Sequence, residues 1–77
     1  MPRIPRIRGE EAIRAFGKIG FVRARTRGSH VILKKEGHEY LLSIPVHKGK
    51  TVGTGLLKSQ IESAGLTVEE FINLLNS

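Results

Sequence analysis

The hydrophobic pattern of this chain changes period twice, and that change limits the possible folds more than any other feature. Between Glu10 and Ile19 the apolar residues Ala12, Ile13, Phe16 and Ile19 recur at helical spacing. From Phe21 to Pro45 they gather instead into short runs rich in Val, Ile, Leu and Tyr and bounded by glycine, the signature of strands. Helical spacing returns after Gly53, with Leu57, Ile61 and Ala64 at i, i+4 and i+7. Gly20 and Gly65 stand where the first two helices must stop. With 77 residues, the chain makes one domain with a small core.

This reading predicts a helix over Glu10–Ile19, with Glu10 and Glu11 in the first turn where the helix dipole favours them. Gly17 weakens that helix by up to ~1 kcal/mol relative to alanine. Strands follow at Phe21–Thr26, His30–Lys35 and Glu39–Pro45, the last two joined by a tight hairpin at Glu36-Gly37-His38. In the second strand Val31, Leu33 and Lys35 face one way and His30, Ile32 and Lys34 the other. The first set is expected against the helices, which leaves His30 on the open face. Val46–Gly53 reads as a loop and Thr54–Ala64 as the second helix. Thr67 caps a third helix over Val68–Leu75, with Glu70 reaching back to the cap and Leu66 and Phe71 at the staple positions.

The order α-β-β-β-α-α is that of an α+β fold, a three-stranded antiparallel sheet with helices on one face. Residues 1–8, with two prolines and little to bury, read as a flexible or extended basic arm preceding a single domain at 9–77.

Charge is uneven. The net charge is +6. Residues 1–35 hold ten Lys or Arg against two Glu, a net of +8, whereas residues 36–77 hold three Lys against five Glu, a net of −2. Such asymmetry points to a polyanion, with RNA the partner expected from the chemistry below. The basic residues do not share one side of an amphipathic helix, and no apolar run approaches membrane length, so no membrane partner is expected. The basic first residues lack an apolar signal core, and the expected location is cytoplasmic.

The chemistry concentrates at Arg27-Gly28-Ser29-His30. Arg23, Arg25 and Arg27 recur at every second position, so a regular strand projects them to one side. Guanidinium groups suit phosphate, and an imidazole exchanges a proton near neutral pH. Cleavage of RNA by its own 2′-OH needs both, one to hold and stabilise the phosphate and one to move the proton. Gly28 permits backbone geometry that lets a phosphate approach, and Ser29 donates to phosphate oxygens or satisfies a turn. Lys34 and Lys35 add further cations to the same strand. By residue chemistry alone, His30 is equally an ordinary polar strand residue.

Other constellations carry less. His47, in Pro45-Val46-His47-Lys48, is a candidate second acid/base or phosphate contact, although a structural hydrogen bond explains it as well. His38 reads as a solvated turn residue. The histidine spacings match no common metal-ligand pattern, and without cysteine there is no thiolate site, so no metal and no cofactor are expected. Ser29-His30 is no catalytic triad, because the chain contains no Asp. Gly49-Lys50-Thr51 lacks the leading glycine of a phosphate loop, since Ile44 stands there. Three of the four aromatics, Phe16, Phe21, Tyr40 and Phe71, are expected in the core, which disfavours base-stacking platforms.

Gly20-Phe21, Gly28-Ser29-His30, Ile44-Pro45-Val46-His47, Gly53-Thr54, Ala64-Gly65-Leu66 and Glu69-Glu70-Phe71 occur in an order that resembles the HicA toxin family. The resemblance runs from about Glu10 to Phe71. It departs at Gln60-Ile61, where the family often has two adjacent aliphatics, and at the arm before Gly9. HicA toxins are small mRNA interferases with a double-stranded-RNA-binding-like fold, silenced by an antitoxin called HicB. The resemblance therefore implies a metal-independent endoribonuclease of a type II toxin–antitoxin system. It implies His30 as the catalytic residue, with Gly28 and Ser29 as motif neighbours, and a HicB-like antitoxin over the His30-bearing face. Arg23, Arg25, Arg27, Lys34 and Lys35 are then the expected phosphate contacts. The competing expectation is a non-catalytic RNA-binding module with the same fold and charge.

Overall fold

The computed structural model describes residues 3–77. Its elements run α1 (Gly9–Gly17), β1 (Val22–Arg27), β2 (His30–Lys34), β3 (Leu42–Pro45), α2 (Thr54–Ser63) and α3 (Val68–Leu75). The strands form one antiparallel sheet in the order β1-β2-β3. The expected α+β architecture therefore holds, including the short additional helix at the end.

Alternation along β2 and β3 decides where the core lies. Val31 and Leu33 pair with Ile44 and Leu42 across the ladder, and all four are buried on one face. Against them pack Ala12, Ala15 and Phe16 from α1, Leu57 and Ile61 from α2, and Phe71 from α3. Fully burying an aliphatic or aromatic side chain contributes about 1.5–3 kcal/mol, so these few residues hold the domain together. Phe16 stacks on Phe71 at a tilt, with ring centroids 4.9 Å apart, joining α1 to α3.

The third helix starts as its sequence directs. The Thr67 N–H donates to Glu70 Oε1 at 2.8 Å, and Thr67 Oγ1 accepts from the Glu70 N–H at 3.1 Å. Its last turn is closed from a distance. Lys18 Nζ donates to the Leu74 and Ser77 backbone oxygens at 2.6 and 2.7 Å, satisfying carbonyls that a helix end leaves unpaired.

Three expectations about the elements need correction. First, Ile4 and Ile7 of the expected arm pack against the core. The Ile7 carbonyl accepts from Val52 N–H at 2.7 Å, and Arg8 bridges Thr51. The segment is extended, as expected, but it has apolar surface to bury and a backbone partner. Met1 and Pro2, its first residues, lie outside the described residues.

Second, α1 ends at Gly17, and Lys18–Gly20 form turns rather than its last residues.

Third, no tight hairpin forms at Glu36-Gly37-His38. The chain between Lys34 and Leu42 is a longer connection, because His38 turns inward from it. Its Nε2–H donates to the Ser63 carbonyl at 2.7 Å, and its ring meets Phe21 edge-on at 5.2 Å. His38 is thus a half-buried clamp between this connection and α2, not a solvated turn residue.

Both sheet edges are managed, in different ways. On β3, the Ser43 N–H points away from β2 and donates to Gln60 Oε1 at 2.9 Å. Gln60, the residue at which the chain departs from the family pattern, thereby closes one edge. The outer edge of β1 is left open, but arginines and a bulge blunt it against pairing.

Candidate functional site

The turn between β1 and β2 sets the site. Arg27 pairs with His30, leaving Gly28 and Ser29 as a two-residue loop. Gly28 has φ +59° and Ser29 has no positive φ, the pattern of a type II′ turn. That turn requires glycine at its first central position, which gives Gly28 a structural reason independent of any ligand. Ser29 then ties the turn to the neighbouring strand, its carbonyl accepting from Val46 N–H at 2.7 Å.

Residues directly opposite one another in an antiparallel ladder project to the same face. Arg27, His30 and Pro45 therefore form one row across the open face, and Arg25, Ile32 and Ser43 form the next. Val22 and Lys34 start a third. His30, Arg25, Arg27 and Lys34 are exposed, and Ile32 is half-buried. The helices lie on the opposite face, so the expected placement of His30 on the free face is observed.

Arg23 does not join this face. The register shifts between Arg23 and Arg25, which places Ala24 in a β-bulge: Arg25 opposes Ile32, whereas Arg23 opposes Leu33 on the helix side. There its guanidinium pairs with the Glu10 carboxylate at the start of α1. Both partners are about half exposed, so the pair adds ~1 kcal/mol or less to stability. Its main consequence is positional. The expectation that Arg23, Arg25 and Arg27 line one side assumed unbroken alternation, and the extra residue inverts the strand before it, so that of the three arginines only Arg23 changes face.

Lys35, although expected among the phosphate contacts, lies off the open face, on the side that the alternation of the second strand assigns it. It follows Leu33 in alternation, its aliphatic stem lies beside Gly20, and its ammonium is 5.8 Å from the Phe21 ring centre. His47 lies two residues beyond Pro45, at the same end of the sheet as His30, and is exposed in a loop whose Lys50 N–H donates to the His47 carbonyl.

One contributor had no signal in the sequence reading. Gly9, the first residue of α1, is packed so closely on the end of β3 that an added Cβ would lie 2.3 Å from the Pro45 oxygen. Pro45 is the cross-strand partner of His30. The N-terminal turn of α1 therefore backs the strand that flanks the histidine. The approach depends on a strand more than thirty residues away, so no local pattern in the sequence announces it.

Residues 9–66 match the family described as the HicA toxin of bacterial toxin–antitoxin systems. The chain belongs to the HicA toxin family. No curated protein sequence matches it. The HicA match spans α1 to the end of α2 and so contains the Gly28-Ser29-His30 turn, the open-face rows and His47. Membership assigns this HicA chain a toxin role, and with it an antitoxin partner. The third helix falls outside the matched segment, yet its Phe71 is fully buried in the common core. Among the described residues, no helix is long and apolar enough to cross a membrane.

Proposed function

We propose that this HicA toxin is an mRNA interferase, an endoribonuclease that cuts RNA through the RNA's own 2′-OH, with His30 moving a proton. The observation that carries the reading is the row Arg27–His30–Pro45 with Arg25 beside it: an exposed imidazole and two guanidinium groups share one open face. The 2′-oxygen attacks the adjacent phosphorus, the bond from phosphorus to the 5′-oxygen breaks, and the products carry a 2′,3′-cyclic phosphate and a 5′-hydroxyl. His30 takes the proton from the 2′-OH or gives one to the departing 5′-oxygen. His47, at the same end of the sheet, is the candidate for the complementary transfer. Arg25 and Arg27 hold the phosphate and stabilise the charge that builds on it, and Lys34 extends the cationic track. Arg23 is engaged with Glu10 on the other side and is left out of this role.

The antitoxin partner, in this reading, is HicB-like and covers the same face, which excludes RNA. The site of action is the cytoplasm, where the substrate is.

Replacing His30 by alanine tests the proposal. His30→Ala should lower cleavage by about 10²–10⁴-fold, the usual contribution of a general acid–base group. It should also relieve growth arrest on expression while leaving the circular-dichroism spectrum and RNA affinity unchanged. Full cleavage by that variant would transfer the role to His47. Binding without cleavage in the unaltered protein would instead support a non-catalytic RNA-binding module.

A further inference from the structure

His30 stands on a boundary. Toward β1 its neighbours on the open face are Arg27, directly opposite, and Arg25, one row along. Toward β3 they are Pro45, directly opposite, and Ser43, one row along, neither of them charged. Ile32 follows on the same strand and face. It is half-buried, yet it is not among the apolar side chains that pack on the core. Cations thus lie on one flank of the histidine, and on the other an apolar surface with one hydroxyl. With strands about 4.8 Å apart, the two flanks are roughly 10 Å from each other. A single nucleotide, phosphate to base, bridges that distance.

We propose that this face takes RNA only as an unpaired strand, with the base of the nucleotide that supplies the 2′-OH resting on Ile32 and Pro45. The inference rests on the reading of His30 given above and adds the substrate's conformation and the contact that enforces it. A phosphate held by Arg25 and Arg27, with its 2′-OH beside His30, directs the attached base toward β3. The surface it meets there suits the flat face of a base. A base inside a duplex has both faces covered by its neighbours, so it reaches Ile32 only when unstacked. A duplex also presents two phosphate rows, whereas the open-face cations lie on β1 and β2 alone. One cationic track beside one apolar strip is the arrangement that follows a single strand. The platform is aliphatic, because Phe16, Phe21 and Phe71 are buried in the core. Ser43 is the one polar side chain on this flank, so preference among the four bases is weak and is set by its hydroxyl.

The test uses three RNAs of one sequence: a single strand, the same strand paired with its complement, and a single strand abasic at the nucleotide 5′ of the cleaved bond. Affinity and cleavage are measured for the unaltered protein, Ile32→Ala and Ile32→Leu. The single strand should be cut at least tenfold faster than the paired one. Ile32→Ala should raise KM on the intact strand about fivefold, the lower end of what stacking on an aromatic side chain supplies and the most expected of an aliphatic one, and should change nothing on the abasic strand. Ile32→Leu should restore the intact-strand value. Equal cutting of paired and unpaired RNA would overturn the proposal, and so would an Ile32→Ala loss that is as large on the abasic strand. If no RNA is cut by the unaltered protein, the reading of His30 fails. The affinities then decide the base contact alone, and an Ile32→Ala loss confined to the intact strand supports it.

Discussion

The bulge at Ala24 separates two kinds of arginine on one strand, and their contributions to RNA binding should separate with it. Arg25 and Arg27 share the face of His30, whereas Arg23 lies on the helix side with Glu10. Each phosphate neutralised on a single strand contributes about 0.7 to the slope of log affinity against log salt. Replacing Arg25 and Arg27 by alanine removes two such contacts and should flatten the slope by about 1.4. Over a fourfold salt range, from roughly 50 to roughly 200 mM, the gap between the unaltered protein and the double variant should therefore shrink about sevenfold. Arg23→Ala removes the same formal charge per residue but no phosphate contact, and its slope should match the unaltered protein. So should that of the Arg3→Ala, Arg6→Ala pair, two exposed residues of the N-terminal segment. Substitution is the cleaner perturbation there, because deleting the segment would also remove Ile4, Ile7 and the Ile7–Val52 hydrogen bond. Fluorescence anisotropy of one labelled single-stranded RNA at several salt concentrations measures all four proteins. If Arg23→Ala flattens the slope as much as loss of one open-face arginine, the division of the strand by its bulge has no bearing on binding. Equal losses from any two arginines would reduce the basic half to a diffuse positive surface.

His38→Ala loses a hydrogen bond to the Ser63 carbonyl and an edge contact with Phe21, and leaves that carbonyl without its partner. It should destabilise the fold by about 1–2 kcal/mol, read from urea unfolding, with RNA cleavage per folded molecule unchanged. Gly9→Ala places a Cβ 2.3 Å from the Pro45 oxygen and 2.9 Å from Val46 Cγ2. The backbone must shift, at a cost of about 1–3 kcal/mol, and because Pro45 pairs with His30, cleavage should fall as well as stability. An alanine at the exposed Gly17, which meets nothing within 4 Å, should raise stability by a few tenths of a kcal/mol to about 1. Cleavage should persist in excess EDTA and leave a 2′,3′-cyclic phosphate upstream. The reason is that with the RNA's own 2′-OH as nucleophile no metal-activated water is required. Loss of activity in EDTA with recovery on adding magnesium would count against the 2′-OH mechanism.

What could be read from the chain alone was whatever depends on near neighbours in sequence. Helical spacing over Ala12–Ile19 and Leu57–Ala64, the Thr67–Glu70 cap and the alternation of His30 to Lys34 are all set within a few residues. Each is present in the structure, with α1 ending slightly early. The placement of His30 opposite the helices follows from the same alternation, since Val31 and Leu33 must be buried. The ordered motifs from Gly20 to Phe71 likewise pointed to the family that residues 9–66 match. Tertiary structure decided the rest, and always through a partner distant in sequence. One extra residue at Ala24 costs nothing in composition, yet it moves Arg23 to the other face, because strand period is two and a single insertion inverts everything on one side of it. His38 becomes a clamp only because Ser63 brings a carbonyl to it, and Lys18 closes α3 only because Leu74 ends nearby. Gly9 must be glycine only because β3 ends against it. The apolar flank beside His30 is likewise a product of register, which brings Pro45 and Ser43 from the third strand to a histidine on the second. Local pattern determines which residues face the solvent. Strand pairing determines which of them face it together.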